Sequence, residues 1–289
     1  MYDGQWDDFS AELTRRGYVA GRNLTIERRF AADGSSQEAI DALGVELVAL
    51  RPDVIYAAAG VPAALAAKKA TKTIPIVFFL SSDPVGAGLV DTLSRPGGNV
   101  TGSSSASALT FAKSLQFLKD INPRLVRFLQ IQPTGFRELP WFAQWDAEVK
   151  SVARTLGLRY DHKEVGSIEE VERVVVSAAR EGVDAIAFVG GGPTFRAHLK
   201  RIAALLIEHR LPSIGPPEAG FLLQYSIDLS QAARKAAEYA DKVFQGARAA
   251  DLPVEQVSKF ELVINQTTAD ALGLTIPRSL LLLAQRLIR

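Results

Sequence analysis

Short, unbroken apolar runs that alternate with amphipathic helical segments constrain this chain most. Residues 54–59 and 74–80 are continuous stretches of Val, Ile, Ala, Phe and Leu, broken only by Tyr56 and Pro75. Residues 127–131, 185–189 and 213–214 repeat the theme. Between them, residues 63–71, 140–156, 169–181 and 194–210 carry apolar positions at helical spacing. A strand that is apolar on both faces must be covered on both faces, which is the condition of a parallel sheet with helices on either side. The expected class is therefore α/β, with right-handed crossovers.

The chain has 289 residues, room for about two domains at roughly 150 residues each. Arg95-Pro96-Gly97-Gly98-Asn99 is a strong turn, and Ser103-Ser104-Ser105-Ala106-Ser107 is small and polar, fit for a crossing. Two α/β halves are expected to meet there; one long doubly wound domain with a serine-rich surface loop is the alternative. The first helix starts almost at once, in Gln5-Trp6-Asp7-Asp8-Phe9, and residues 23–30 read as a strand. A doubly wound half normally opens with a central strand before its first helix. That strand is missing, so a truncated amino terminus is expected. A truncation would also remove an export signal; the other reading of the same start is a cytosolic protein.

Composition excludes several chemistries. There is no Cys, so no disulfide, thiolate metal site or thiol nucleophile exists. The only histidines are His162, His198 and His209, without metal-binding spacing, and no cofactor is expected. Lys plus Arg is 33 against 32 Asp plus Glu, which argues against a nucleic-acid partner. No run reaches the roughly 18 apolar residues that a membrane helix needs. The Gly86-x-Gly88 pair lacks the third glycine of a dinucleotide loop, since Asp91 stands there. The glycines of residues 97–102 lack the Lys and Ser/Thr of a phosphate loop, and no GxSxG elbow occurs.

In open α/β sheets, ligands bind outside the carboxyl ends of the strands. The residues that follow each apolar run are therefore the candidates. Gly60 and Val61 stand at a helix start, where free N–H groups could seat a carboxylate; a plain tight turn is the other reading. Asp83, in the loop after the second run, could accept from a ligand or cap the turn that Pro84 begins. In the second half, Thr134 and Phe136, then Gly191 and Gly192, then Glu218 follow three successive strands. Glu218 could pair with a ligand ammonium group or stay a solvated loop residue. Trp6, at the first helix start, could stack on a ligand or cover the helix end. Trp141 and Trp145, four apart, read as packing.

Longer words carry a resemblance. They are Ala58-Ala59-Gly60-Val61-Pro62-Ala63-Ala64-Leu65, Asp83-Pro84-Val85-Gly86-Ala87-Gly88-Leu89-Val90 and Arg95-Pro96-Gly97-Gly98-Asn99-Val100-Thr101-Gly102. Arg16-Gly17-Tyr18-Val19-Ala20-Gly21-Arg22-Asn23, Lys259-Phe260-Glu261-Leu262-Val263-Ile264-Asn265 and Ala271-Leu272-Gly273-Leu274-Thr275-Ile276-Pro277 complete the set. Together they resemble the ABC-transporter substrate-binding proteins that include tryptophan- and tyrosine-binding members, over nearly the whole chain.

The resemblance implies a type I periplasmic-binding-protein fold: two doubly wound parallel-sheet lobes joined by a multi-strand hinge, here with the first strand of lobe 1 missing. It implies lobes of residues 1–104 plus about 227–258, and 105–226 plus about 259–289. It implies a monomeric, extracytoplasmic receptor, periplasmic or membrane-anchored, that hands an amino acid or related carboxylate to ABC permease subunits. It favours Gly60–Val61 and the loop from Ser81 to Asp83 for the ligand carboxylate, and Glu218 for an ammonium. This sequence departs from the family at Gln132-Pro133, where Asn-Pro is common, and at Gly191-Gly192-Pro193, where Asp-Pro is usual. The alternatives are a cytosolic ligand-sensing domain of the same fold, or an enzyme that uses Asp83 and Glu218 as an acid/base pair.

Overall fold

The computed structural model describes residues 4–31, 36–58, 60–81, 83–105, 107–138, 142–189 and 193–289. In chain order the first elements are α1 (Gln5–Arg15), α2 (Gln37–Ala49), β1 (Ile55–Ala57), α3 (Val61–Ala70), β2 (Ile76–Ser81) and β3 (Val100–Ser104). Then come α4 (Ser107–Ile121), β4 (Arg127–Pro133), α5 (Phe142–Thr155), β5 (Arg159–Val165), α6 (Ile168–Arg180) and β6 (Ala185–Phe188). The chain continues through α7 (Pro193–Arg196), α8 (Leu199–Glu208), β7 (Ser213–Ile214), β8 (Leu223–Ile227), α9 (Leu229–Phe244) and β9 (Glu255–Gln256). It closes with β10 (Phe260–Asn265), α10 (Gln266–Leu272), α11 (Arg278–Leu283) and β11 (Arg286–Ile288). The chain divides into two compact units, Met1–Ala106 with Asp228–Lys259, and Ser107–Ile227 with Phe260–Arg289.

Unit 1 holds a parallel sheet in the order β1-β2-β3-β9. Ile55, Ala57, Ile76, Phe78 and Val100 bury one face against Ala64 and Ala67 of α3. Gly44 lets α2 touch α3: a Cβ there would lie 2.9 Å from the Ala66 carbonyl oxygen. The buried alanines of α9 (Ala232, Ala233, Ala236, Ala237 and Ala240) bring that helix close to the sheet.

Helix α1 packs on α9, and a polar cluster fixes the pair. Arg16 and the Tyr18 hydroxyl each donate to Asp241 at 2.8 Å. Burial pushes the Asp241 carboxyl up, but the bonds from Arg16, Tyr18 and Gln245 outweigh it and hold it below the usual carboxylate range. Asp228 caps α9 through Gln231 N–H at 2.9 Å and accepts from Lys259 Nζ at 2.8 Å. Its own N–H donates to the Lys259 carbonyl, so the two chain crossings at 227/228 and 259/260 are clasped together.

The segment 23–30 is not the strand its sequence suggests. Among the described residues it forms one bridge, Ala20 to Leu24, and no ladder to β1. A β-branched sequence supplies the extended conformation, but a strand also needs a hydrogen-bonding neighbour. The segment is held by side chains instead: Arg29 donates to Glu46 at 2.9 Å, and the Arg28 guanidinium lies 3.8 Å from the Trp6 ring centre.

Unit 2 holds seven strands in the order β11-β10-β8-β7-β6-β4-β5. Strand β10 runs antiparallel to β8, so the sheet is mixed where a purely parallel one is expected. One face carries Phe111, Leu115, Phe128 and Trp145; the other carries Ile131, Val171, Ile186, Leu206 and Phe221. The expected helix over 194–210 is two, α7 and α8.

Two outcomes follow for stability. Gly44→Val should wedge α2 from α3 and cost about 1–3 kcal/mol, read as a fall in thermal midpoint of about 2–4 °C per kcal/mol. Asp241→Asn should destabilise by a similar about 1–3 kcal/mol at neutral pH. Because the folded carboxyl titrates below its ordinary value of 3.8, its contribution is complete above that pH and is lost as pH falls through the lowered value. The gap between wild type and variant in urea melts should therefore close below about pH 4.

Candidate functional site

Each unit gathers its candidates at the carboxyl ends of its strands, and each is described separately. In unit 1, Gly60 follows β1 and has a φ of 73°, in the region that only glycine enters freely. The turn lets the chain reverse into α3 at Val61, with Pro62 in the first turn. Gly60 and Val61 are both half-buried, at a helix start, where the first N–H groups have no intrahelical carbonyl to bond.

Strand β2 ends at Ser81, which is buried and registers beside Ser104 of β3. The hydroxyls of Ser81, Ser103 and Ser104 are buried and have no hydrogen-bond partner among the described residues. A buried hydroxyl without a partner costs about 1–3 kcal/mol; those of Ser81 and Ser104, in register across β2 and β3, share one face of the sheet, and that of Ser103 turns to the other. Ser103 and Ser104 are residues that sequence reasoning assigns to a crossing and not to a site. Asp83 Oδ1 accepts from Gly86 N–H at 2.8 Å, the capping role of its two readings. Trp6 is half-buried, its face taken by Arg28 and its edge near Phe9 at 5.6 Å between ring centres. The Tyr56 ring stacks on Phe9 at 4.0 Å, its hydroxyl accepts from Gln5, and burial raises its pKa.

In unit 2, Thr134 is exposed and Phe136 half-buried, following directly on β4. Phe136 meets Phe142 and Trp145 edge to face at 5.9 and 6.3 Å. Trp145 is packing, as its spacing suggests, while Trp141, Gly191 and Gly192 lie outside the described residues. Strand β4 carries a buried polar chain. The Tyr160 hydroxyl donates to Gln130 Oε1 at 3.0 Å, and Gln130 Nε2 donates to Gln132 Oε1. That order leaves Gln132 Nε2, fully buried at the end of β4, without a partner among the described residues. Burial raises the Tyr160 pKa, and nearby Asp146 adds to the shift. His162 is held below its ordinary value by burial first and by Arg137 second.

Glu218 is on the surface. It sits in a short 3₁₀ turn after β7, exposed, and pairs with Arg286 at 2.8 Å. An exposed pair of this kind contributes little, about 0–1 kcal/mol, and the carboxylate already has its counterion. Gly60, Val61, Ser81 and Asp83 thus share the carboxyl end of one sheet, and Thr134, Phe136 and Glu218 that of the other. No group of three or more His, Cys, Asp or Glu able to hold a metal occurs among the described residues. No helix there is long and apolar enough to cross a membrane.

The solved structures it is similar to share this architecture. A conserved domain protein of Vibrio cholerae superposes with a TM-score of 0.84 at 26% identity, covering 99% of this chain and 94% of that one. An ABC domain from Streptococcus pneumonia, in complex with L-Trp, gives 0.83 at 25% identity, covering 99% and 95%. Among curated proteins, the tyrosine-binding protein of Clostridioides difficile is 29% identical over 270 residues, 92% of this chain and 75% of the relative. The fold is the type I periplasmic-binding-protein type, two α/β lobes built on largely parallel sheets. The family model for ABC transporter substrate binding proteins matches residues 3–288, so the chain belongs to that family.

Proposed function

We propose that this protein is the solute receptor of an ABC importer and that its solute is an amino acid or related small carboxylate, aromatic ones first. It works outside the cytoplasm, as a monomer, and delivers the solute to permease subunits. The observation that carries this reading is the pair of buried hydroxyls of Ser81 and Ser104, without a partner among the described residues, on one face of the sheet at the ends of β2 and β3. Free N–H groups and the positive end of α3 suit a carboxylate, and serine hydroxyls can donate to it. The relatives support the aromatic class: one is named for tyrosine and another was solved with L-Trp.

In unit 2 the proposed ligand residues are Thr134, Phe136 and Gln132, whose amide nitrogen has no partner among the described residues, with Gly191 and Gly192 following β6 in sequence. Phe136 offers a ring edge for an aromatic side chain. Glu218 is a poor partner for a ligand ammonium, since Arg286 already neutralises it. Binding fits these residues better than catalysis. An acid/base step needs groups free to take and give a proton, and Asp83 is engaged as a turn cap while Glu218 is ion-paired at the surface.

A thermal-shift screen against L-tryptophan, L-tyrosine, L-phenylalanine, other amino acids, sugars and nucleosides tests the class. A ligand at about 1,000 times its Kd adds about 4 kcal/mol, so the midpoint should rise by several degrees with an aromatic amino acid. A shift with sugars or nucleosides alone would overturn the class. Ser81→Ala and Ser104→Ala should leave the midpoint of the free protein unchanged or higher, because each removes an unsatisfied hydroxyl. Both should weaken binding about 5–10-fold by calorimetry, the worth of one hydrogen bond. Unchanged affinity in both would remove the serines from the site.

A further inference from the structure

The buried polar chain of unit 2 has a direction, and the direction decides what its last member can bind. Gln130 and Gln132 stand two apart on β4, so their side chains share one face of the sheet. Tyr160 of β5 registers with Phe128 and lies on that face too. The chain begins at the Tyr160 hydroxyl. Burial and nearby Asp146 raise its pKa, so the phenol keeps its proton and must place it on an acceptor. Asp146 spends Oδ2 on Lys150 at 2.6 Å, and its Oδ1 has no hydrogen-bond partner among the described residues. The proton therefore goes to Gln130 Oε1, at 3.0 Å. An amide has one acceptor end and one donor end, so each link sets the next. Gln130 must then donate through Nε2, and it donates to Gln132 Oε1. Gln132 is left with its Nε2, fully buried and without a partner among the described residues.

We propose that Gln132 donates a hydrogen bond to an oxygen acceptor of the bound solute, and that Tyr160, acting through Gln130, is the positioning residue that fixes this polarity. The inference rests on the solute-receptor reading and sharpens it. It gives unit 2 a subsite that seeks an acceptor, the reverse of the ammonium subsite expected at Glu218. The neighbouring acids agree. Glu164 accepts from the Arg137 N–H at 2.9 Å, Glu170 from the Gly166 N–H at 2.6 Å, and Glu218 pairs with Arg286 at 2.8 Å. A buried donor without a partner is costly, and a solute that supplies an oxygen removes that cost. A solute that brings an ammonium to the same place sets donor against donor and is rejected.

Calorimetry on the full chain with L-tryptophan, L-tyrosine and L-phenylalanine tests both parts. Gln132→Glu keeps the side-chain shape and the oxygen that accepts from Gln130, but exchanges the donor for an acceptor. At about pH 8 it should weaken binding at least about tenfold, the worth of a hydrogen bond to a charged group. The loss should shrink at about pH 5, where a buried carboxyl regains a proton to donate. Affinity unchanged or tighter at about pH 8 would overturn the donor assignment, the tighter result placing an ammonium there. Tyr160→Phe should weaken binding about fivefold in the wild type, and less than about twofold in a chain that already carries Gln132→Met. Equal losses in both backgrounds would make Tyr160 merely structural and overturn its positioning role. Thermal midpoints of the unliganded variants read the structural cost separately. A wild-type chain that binds none of the three acids overturns the aromatic-receptor reading and this inference with it, whereas wild-type binding that Gln132→Glu leaves intact overturns this inference alone.

Discussion

Everything in this molecule depends on covering strands that are apolar on both faces. Ile76, Val77 and Phe78 are successive residues of β2, and all three are fully buried. A strand of that kind cannot lie on a surface, so helices must flank each sheet, and the chain must cross over between strands. The crossovers in turn place a loop and a helix start after each strand. The binding residues of such a protein are a by-product of that geometry.

Much of this is legible in the sequence because it is local. The continuous runs that became β1, β2, β4 and β6 stand out from the amphipathic pattern of α5, α6 and α9. What sequence reasoning missed is non-local. Residues 23–30 have strand composition, but a strand exists only with a partner, and none is paired to them. The direction of β10 is set by where β8 lies, which no pattern within residues 260–265 reveals. The ion pair of Glu218 with Arg286, distant in sequence, is likewise a contact that no local pattern reveals.

The candidate site is the least legible part. Serines and glutamines carry no hydrophobic signal, so Ser103, Ser104 and Gln132 read as filler or as departures from a family pattern. Only burial without a partner marks them. Buried polar groups are normally satisfied, and exceptions concentrate where something else completes them. The chain Tyr160–Gln130–Gln132 shows how such an exception is fixed, since each donor is committed in turn until one remains.

The most direct measurement is amide hydrogen exchange across the whole chain with and without a saturating aromatic amino acid. A receptor that holds its solute at the proposed residues should gain protection at Gly60–Val61 and in residues 81–86 of one unit. It should gain protection in residues 132–137 of the other in the same experiment. Protection absent from both sets of strand ends would contradict the proposed binding residues.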